Sequence, residues 1–149
     1  MKRCKKVMIA LDYDSNAIKI AEFGYRFAKS IDAEIVLLHI NKDFKYYFIT
    51  TVNEGPLVVN SSTAVKETTF KFLEKIKIHL KDADINLLQA EGSVAEMTLK
   101  LAKSLFVDVI VIGSHSKSWF ENIVMGSETE KVLDKTNIPL LIIPTNKPE

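Results

Sequence analysis

Apolar positions in this chain fall into short solid runs, separated by stretches in which they recur at helical spacing. Residues 6–11 form the first run, and Asp12-Tyr13-Asp14-Ser15-Asn16 reads as the turn after it. Ala17, Ile20, Ala21, Gly24, Phe27, Ala28 and Ile31 then mark one face of a helix, with Ser15 or Asn16 as its N-cap. Residues 34–40 are the second run, close enough behind the helix that the unit reads strand, helix, parallel strand. The rhythm lapses over residues 41–62, where Phe44, Tyr46, Tyr47 and Phe48 precede a Gly55-Pro56 turn. So many aromatics predict a packed excursion, of a kind able to cover a pocket, rather than a free linker.

Helical spacing returns over residues 63–80 at Val65, Thr69, Phe72 and Ile76, beneath a lysine-rich outer face. Residues 85–90 are a third strand. Ser93 with Glu96 reads as a capping box opening a helix whose buried side is Val94, Met97, Leu101, Ala102 and Leu105. Residues 107–113 are a fourth strand, and Ser127 with Glu130 opens a further helix over Val132, Leu133 and Thr136. Residues 140–143 are the fifth, stopped by Pro144. Solid Val/Ile/Leu runs imply burial on both faces, hence an α/β fold with a parallel sheet between helices.

Composition narrows the function. At 149 residues the chain suits one domain, 1–149, with a substantial core. A formal charge of +1 supplies no global field for nucleic acid or an anionic membrane, so any anion must be bound locally. The basic cluster Lys2, Arg3, Lys5 and Lys6 precedes an apolar run too short for a signal or a membrane span, and the lone Cys4 forms no internal disulfide. A reducing, cytoplasmic setting is expected.

In an open parallel sheet, ligands bind beyond the carboxyl ends of the strands, where strand order reverses. That directs attention to Asp12 and Asp14, His39 to Asn41, Glu91 to Ser93, Gly113 to Ser116, and Pro144 to Asn146. Gly113 permits a turn or a close approach that a side chain would block, and Gly126-Ser127 sets free N–H groups at a helix start. Together they suit a di- or triphosphate. Ser127 is equally readable as a plain N-cap, Asp12 as an acceptor for the turn after it, and His39 as a packed histidine. Trp119 and Phe120 read as a hydrophobic lid or a partner contact. No Walker P-loop, Gly-x-Gly-x-x-Gly, Gly-x-Ser-x-Gly or His-Glu-x-x-His occurs. A phosphoacceptor receiver would need an acceptor aspartate after a middle strand, and Gln89-Ala90-Glu91 is a poor one.

The whole string resembles the universal stress protein (UspA-like) family. Gly113-Ser114-His115-Ser116, nine residues, then Gly126-Ser127 match the glycine motif of its nucleotide-binding members, and Ala10-Leu11-Asp12 and Leu38-His39-Ile40 match its first two strand ends. The resemblance implies a Rossmann-like sheet of order 3-2-1-4-5 with ATP and Mg2+ as ligands. Leu11 and Ile40 would border adenine, Asp12 would lie at ribose and the phosphate-bound metal, and Gly113, His115, Ser116, Gly126, Ser127 and Thr129 would line the phosphates. Two positions depart from the motif: Ser116 stands where its second glycine falls, and Glu128 follows Gly-Ser where a small apolar residue is usual. Without a residue to orient water, any ATP hydrolysis is expected to be slow. The family order puts the apolar segment bounded by Pro139 and Pro144 at a sheet edge, which predicts a homodimer paired through it. The expected role is a regulatory stress-response module, the alternative a nucleotide-free dimer acting through protein partners.

Overall fold

The computed structural model describes residues 5–41, 50–52, 55–57, 61–114 and 136–146. Five parallel strands form the main sheet: β1 (Lys6–Ala10), β2 (Glu34–Asn41), β5 (Asn86–Glu91), β6 (Val109–Gly113) and β7 (Leu140–Ile143), in the order β5-β2-β1-β6-β7. Counted along the main sheet alone this is 3-2-1-4-5, as expected. The helices are α1 (Ala17–Ser30), α2 (Ser61–Leu80) and α3 (Val94–Ser104). The helix expected after Ser127, with Glu130, Val132 and Leu133, lies outside the described residues.

Alternation along the strands divides the core. Val7, Ile9, Leu11, Ile35, Leu37 and Val111 pack with Ile20, Ala21 and Ala28 of α1 and Leu73 and Ile76 of α2. On the opposite face Met8, Val36, Leu38, Ile40, Ile110 and Ile112 pack with Val94, Ala95 and Ala102 of α3. Both sides of the central strands are therefore dry, which is why their sequences are solid rather than alternating. The edge strand β5 is only half-buried along its middle.

Several local readings need correction. Gly55 and Pro56 are not a turn: they belong to β4 (Gly55–Leu57), which pairs antiparallel with β3 (Thr50–Val52) through Val52↔Gly55 and Thr51↔Pro56. A proline is tolerated there because a two-stranded ribbon has open edges. The aromatics Phe44, Tyr46, Tyr47 and Phe48 lie outside the described residues. Ser93 is the N-cap of α3, but its side chain makes no capping hydrogen bond, so the box with Glu96 is not formed. The fourth main-sheet strand starts at Val109 rather than 107 because Val107 N–H closes the end of α3, donating to the Ala102 carbonyl at 2.8 Å.

That closure is a Schellman motif, completed by Phe106 N–H on the Lys103 carbonyl at 3.2 Å. α1 ends in the same way, with Ala33 N–H on Ala28 and Asp32 N–H on Lys29. The motif needs a left-handed residue, and here Phe106 at φ 56° fills the place where glycine is strain-free. Its side chain is 79% exposed and recovers little of that cost by burial. Phe106→Gly is therefore expected to stabilise the protein by about 1 kcal/mol, read as a higher urea midpoint at unchanged m-value.

At the amino end of the sheet, Asp82 ties the α2–β5 connection to α1. It accepts a hydrogen bond from Tyr25 Oη at 3.1 Å and lies 3.8 Å from Lys29 Nζ. The Asp84 N–H, donating at 2.9 Å, is the main cause that holds this carboxyl below the usual carboxylate range.

Candidate functional site

The sheet has a notch at its carboxyl edge. β1 pairs with β2 through Ala10↔Leu38 and with β6 only through Ile9↔Val111, whereas β2 runs on to Asn41 and β6 to Gly113. The middle strand stops short while both neighbours continue. The notch lies over the end of β1, between β2 and β6 and beside the β1–β6 boundary where strand order reverses, and Leu11 and Asp12 form its floor.

Each wall is fixed by interactions that the chain order conceals. Leu38 faces β1 with its peptide edge, since Leu11 N–H donates to the Leu38 carbonyl at 2.9 Å. Strand periodicity gives Ile40 the same orientation, so its backbone faces the notch past the end of β1, while its side chain is buried against the α3 side. Asn41 anchors that wall: its buried Oδ1 accepts from Thr69 Oγ1 at 2.8 Å, its Nδ2 donates to Gln89 Oε1 at 3.1 Å, and Gln89 Nε2 donates to the Lys66 carbonyl at 3.0 Å. These bonds lash α2 to the ends of β2 and β5.

The opposite wall is the end of β6. Ser114 N–H donates to the Ile143 carbonyl at 2.8 Å, and its Oγ accepts from Thr145 N–H at 3.0 Å, so the two strand ends leave the sheet clamped together. Gly113 does not use a left-handed conformation; the positive-φ glycine among the described residues is Gly92. Its reason is close approach: a Cβ there would stand 2.5 Å from Ile20 Cδ1 and 3.3 Å from Thr145 Cγ2. This packing against α1 is a role separate from the ligand-side one expected of the glycine.

The floor is ordered by an Asx turn. Asn16 N–H donates to Asp14 Oδ1 at 2.8 Å, and Asp14 N–H to the Asp12 main-chain carbonyl at 3.0 Å. The Asp14 carboxylate thus accepts from the turn that leads into α1. Asp12 is half-buried at the notch floor. Asn16 is the residue before α1, but its side chain does not cap the helix; it crosses to the Asn146 carbonyl at 2.9 Å and ties floor to wall. This strut was not legible in sequence, since 130 residues separate its ends.

His39 is half-buried on the α2 side, as a packed histidine should be, with Nδ1 2.7 Å from the Leu11 carbonyl. Phe72 meets its ring edge-on at 5.8 Å and Tyr13 at 4.7 Å, so an aromatic row closes one flank of the floor. Leu11, Asp12, Ile40 and Gly113 are therefore brought together. His115, Ser116, Trp119, Phe120, Gly126, Ser127, Glu128 and Thr129 lie outside the described residues, as do Cys4 and the other residues before Lys5. A groove of about 570 Å³ lies elsewhere, between the end of α2 and the start of β5.

Among the described residues no group of three or more His, Cys, Asp or Glu side chains is placed to hold a metal ion. A cation at the floor would rest on Asp12 together with oxygens brought by its ligand.

A doubly wound parallel sheet with a notch at its switch point defines the class: an open α/β protein of Rossmann-like fold. The sequence matches the universal stress protein family over residues 3–144, and the chain belongs to that family. It is 29% identical to universal stress protein MJ0577 of Methanocaldococcus jannaschii over 93% of this chain and 94% of that one. The solved structure of MJ0577 aligns with a TM-score of 0.67, covering 97% of this chain and 99% of that one at 25% identity. Two more distant structures share the fold: a universal stress protein in complex with cAMP (14% identity, TM-score 0.65, 97% of this chain and 100% of that) and one from Arabidopsis thaliana with AMP bound (18%, 0.61, 95% and 92%). No helix among the described residues is long and apolar enough to cross a membrane.

Proposed function

We propose that this protein binds an adenine nucleotide, ATP with Mg2+, in the notch and acts as a nucleotide-responsive regulatory module in the stress response. The observation that supports this reading is the shortened β1, which leaves the Ile40 peptide edge and the end of β6 on either side of the gap above Leu11 and Asp12. The cAMP and AMP complexes of two other universal stress proteins support an adenine nucleotide as the class of ligand.

In this reading the Ile40 N–H and C=O meet the donor–acceptor edge of adenine, and Leu11 borders the ring. Asp12 faces the ribose and the metal. The fit to Mg2+ is chemical: a hard cation takes oxygen ligands, and one carboxylate plus phosphates and waters is its ordinary set beside a nucleotide. The metal's contribution when bound is to neutralise phosphate charge. Gly113, His115, Ser116, Gly126, Ser127 and Thr129 are the phosphate side. Ser116 offers an N–H and a hydroxyl in place of the motif glycine, and Glu128 suits the positive end of a helix.

Calorimetry with Mg-ATP is the test. Wild type is expected to release heat with a single-site isotherm, and Asp12→Ala and Gly126→Ala to bind at least about tenfold more weakly. An absence of heat with wild type, with no adenine nucleotide released on denaturation, overturns the reading in favour of a nucleotide-free protein acting through partners.

We also propose a homodimer paired along β7. Among the described residues this edge strand pairs with β6 alone, and Ile142 is 48% exposed. Light scattering should return twice the chain mass at micromolar concentration; Ile142→Lys should return one chain mass. A monomeric wild type overturns the dimer.

A further inference from the structure

The β1–β2 ladder ends one bond earlier than the chain requires. Leu11 N–H donates to the Leu38 carbonyl, and the next bond of a parallel ladder would run from the Ile40 N–H to the Leu11 carbonyl. His39 takes that carbonyl instead, with Nδ1 at 2.7 Å. A carbonyl only accepts, so Nδ1 carries the hydrogen. The ring has little room to leave, because Phe72 of α2 stands against it edge-on and Tyr13 backs Phe72.

We propose that His39 is a positioning residue for the nucleotide base. By holding the Leu11 carbonyl it keeps β1 from zipping onto the end of β2, and leaves the Ile40 N–H and C=O turned into the notch as a donor–acceptor pair. Such a pair matches adenine, which offers an acceptor at N1 and a donor at N6; guanine offers the reverse at N1 and O6, and is disfavoured. The assignment rests on the adenine-nucleotide reading above. It adds the device that makes a backbone edge selective.

The test joins a nucleotide-free measurement to a binding one. His39→Phe keeps a ring against Phe72 but has no donor, whereas the amide of His39→Asn can stand in for Nδ1. Without nucleotide, the Ile40 amide of wild type and His39→Asn is expected to exchange with solvent quickly, and that of His39→Phe at least about tenfold more slowly, because the freed Leu11 carbonyl captures it. With nucleotide, His39→Phe is expected to lose roughly three- to tenfold in ATP affinity, the scale of one oriented hydrogen bond, with GTP binding unchanged and His39→Asn restoring the preference. Equal Ile40 exchange in wild type and His39→Phe, or an equal ATP-to-GTP ratio, overturns the assignment. A wild type that binds no ATP while its Ile40 amide responds to His39→Phe overturns the nucleotide reading and leaves the wedge standing.

Discussion

Ile9→Ala is expected to remove about 2–5 kcal/mol of folding stability, toward the upper part of that range. Ile9 is fully buried in the central strand β1, and its side chain fills the space directly beneath Gly24 of α1. A Cβ on Gly24 would lie 2.7 Å from Ile9 Cδ1 and 2.9 Å from Cγ1, so helix and strand are already as close as their atoms allow. Truncating Ile9 opens a cavity under a residue with no side chain to collapse into it. At roughly 2–4 °C per kcal/mol for a chain of this size, thermal unfolding should fall by several degrees at least. A loss below 1 kcal/mol would mean that α1 does not sit on the sheet as described. Gly24→Ala makes the same contact too tight, and its loss should shrink in an Ile9→Val background.

Gly113→Val is expected to cost about 1–3 kcal/mol through overpacking, and to do so in the absence of any nucleotide. The new side chain would begin 2.5 Å from Ile20 Cδ1 and 3.2 Å from its Cγ1, with Thr145 behind it. Ile20 is buried, so its methyl can yield only by disturbing the packing of α1. Combining Gly113→Val with Ile20→Ala should recover part of the loss, a coupling that double-mutant denaturation curves read directly. Unchanged stability in Gly113→Val would remove the packing role and leave the glycine to its ligand alone. The distinction matters because a motif glycine is readily credited to phosphate, and here the first of the pair has an architectural reason as well.

Together the two substitutions probe one contact surface. α1 lies on the face of β1 and β6 and carries the turn that makes the notch floor. Gly24 sets its height over the middle of the strands, and Gly113 sets it at their ends. Asn16, bonded to the Asn146 carbonyl, fixes the same helix against the exit of β7. The position of Asp12 relative to the strand ends therefore depends on close helix–sheet packing as much as on the residues near it.

Much of this was readable from pattern. Solid apolar runs gave the parallel sheet, because only two-sided burial selects them, and the spacing in residues 17–31 gave α1 and its buried face. The switch-point rule points to Asp12, Ile40 and Gly113 from the strand ends alone. Local rules failed where a side chain had a better partner far away or where the tertiary frame displaced a boundary. Ser93 does not cap α3 with its side chain, Asn16 abandons its helix for Asn146, and the start of β6 yields two residues to the closure of α3. Gly55 and Pro56 pair in a ribbon although the dipeptide favours turns in isolation.

What the sequence by itself determined was the five strands of the main sheet, their two-faced burial and the family of the chain, because periodicity and residue type act over a few neighbours. The tertiary structure alone decided that β1 stops short of both its neighbours, that Asp14 accepts from the turn before α1, that Gly113 serves the approach of α1, and that His39 holds the Leu11 carbonyl. Each of these depends on which groups compete for one hydrogen bond or one van der Waals gap. That competition is settled only when strands from distant parts of the chain lie side by side.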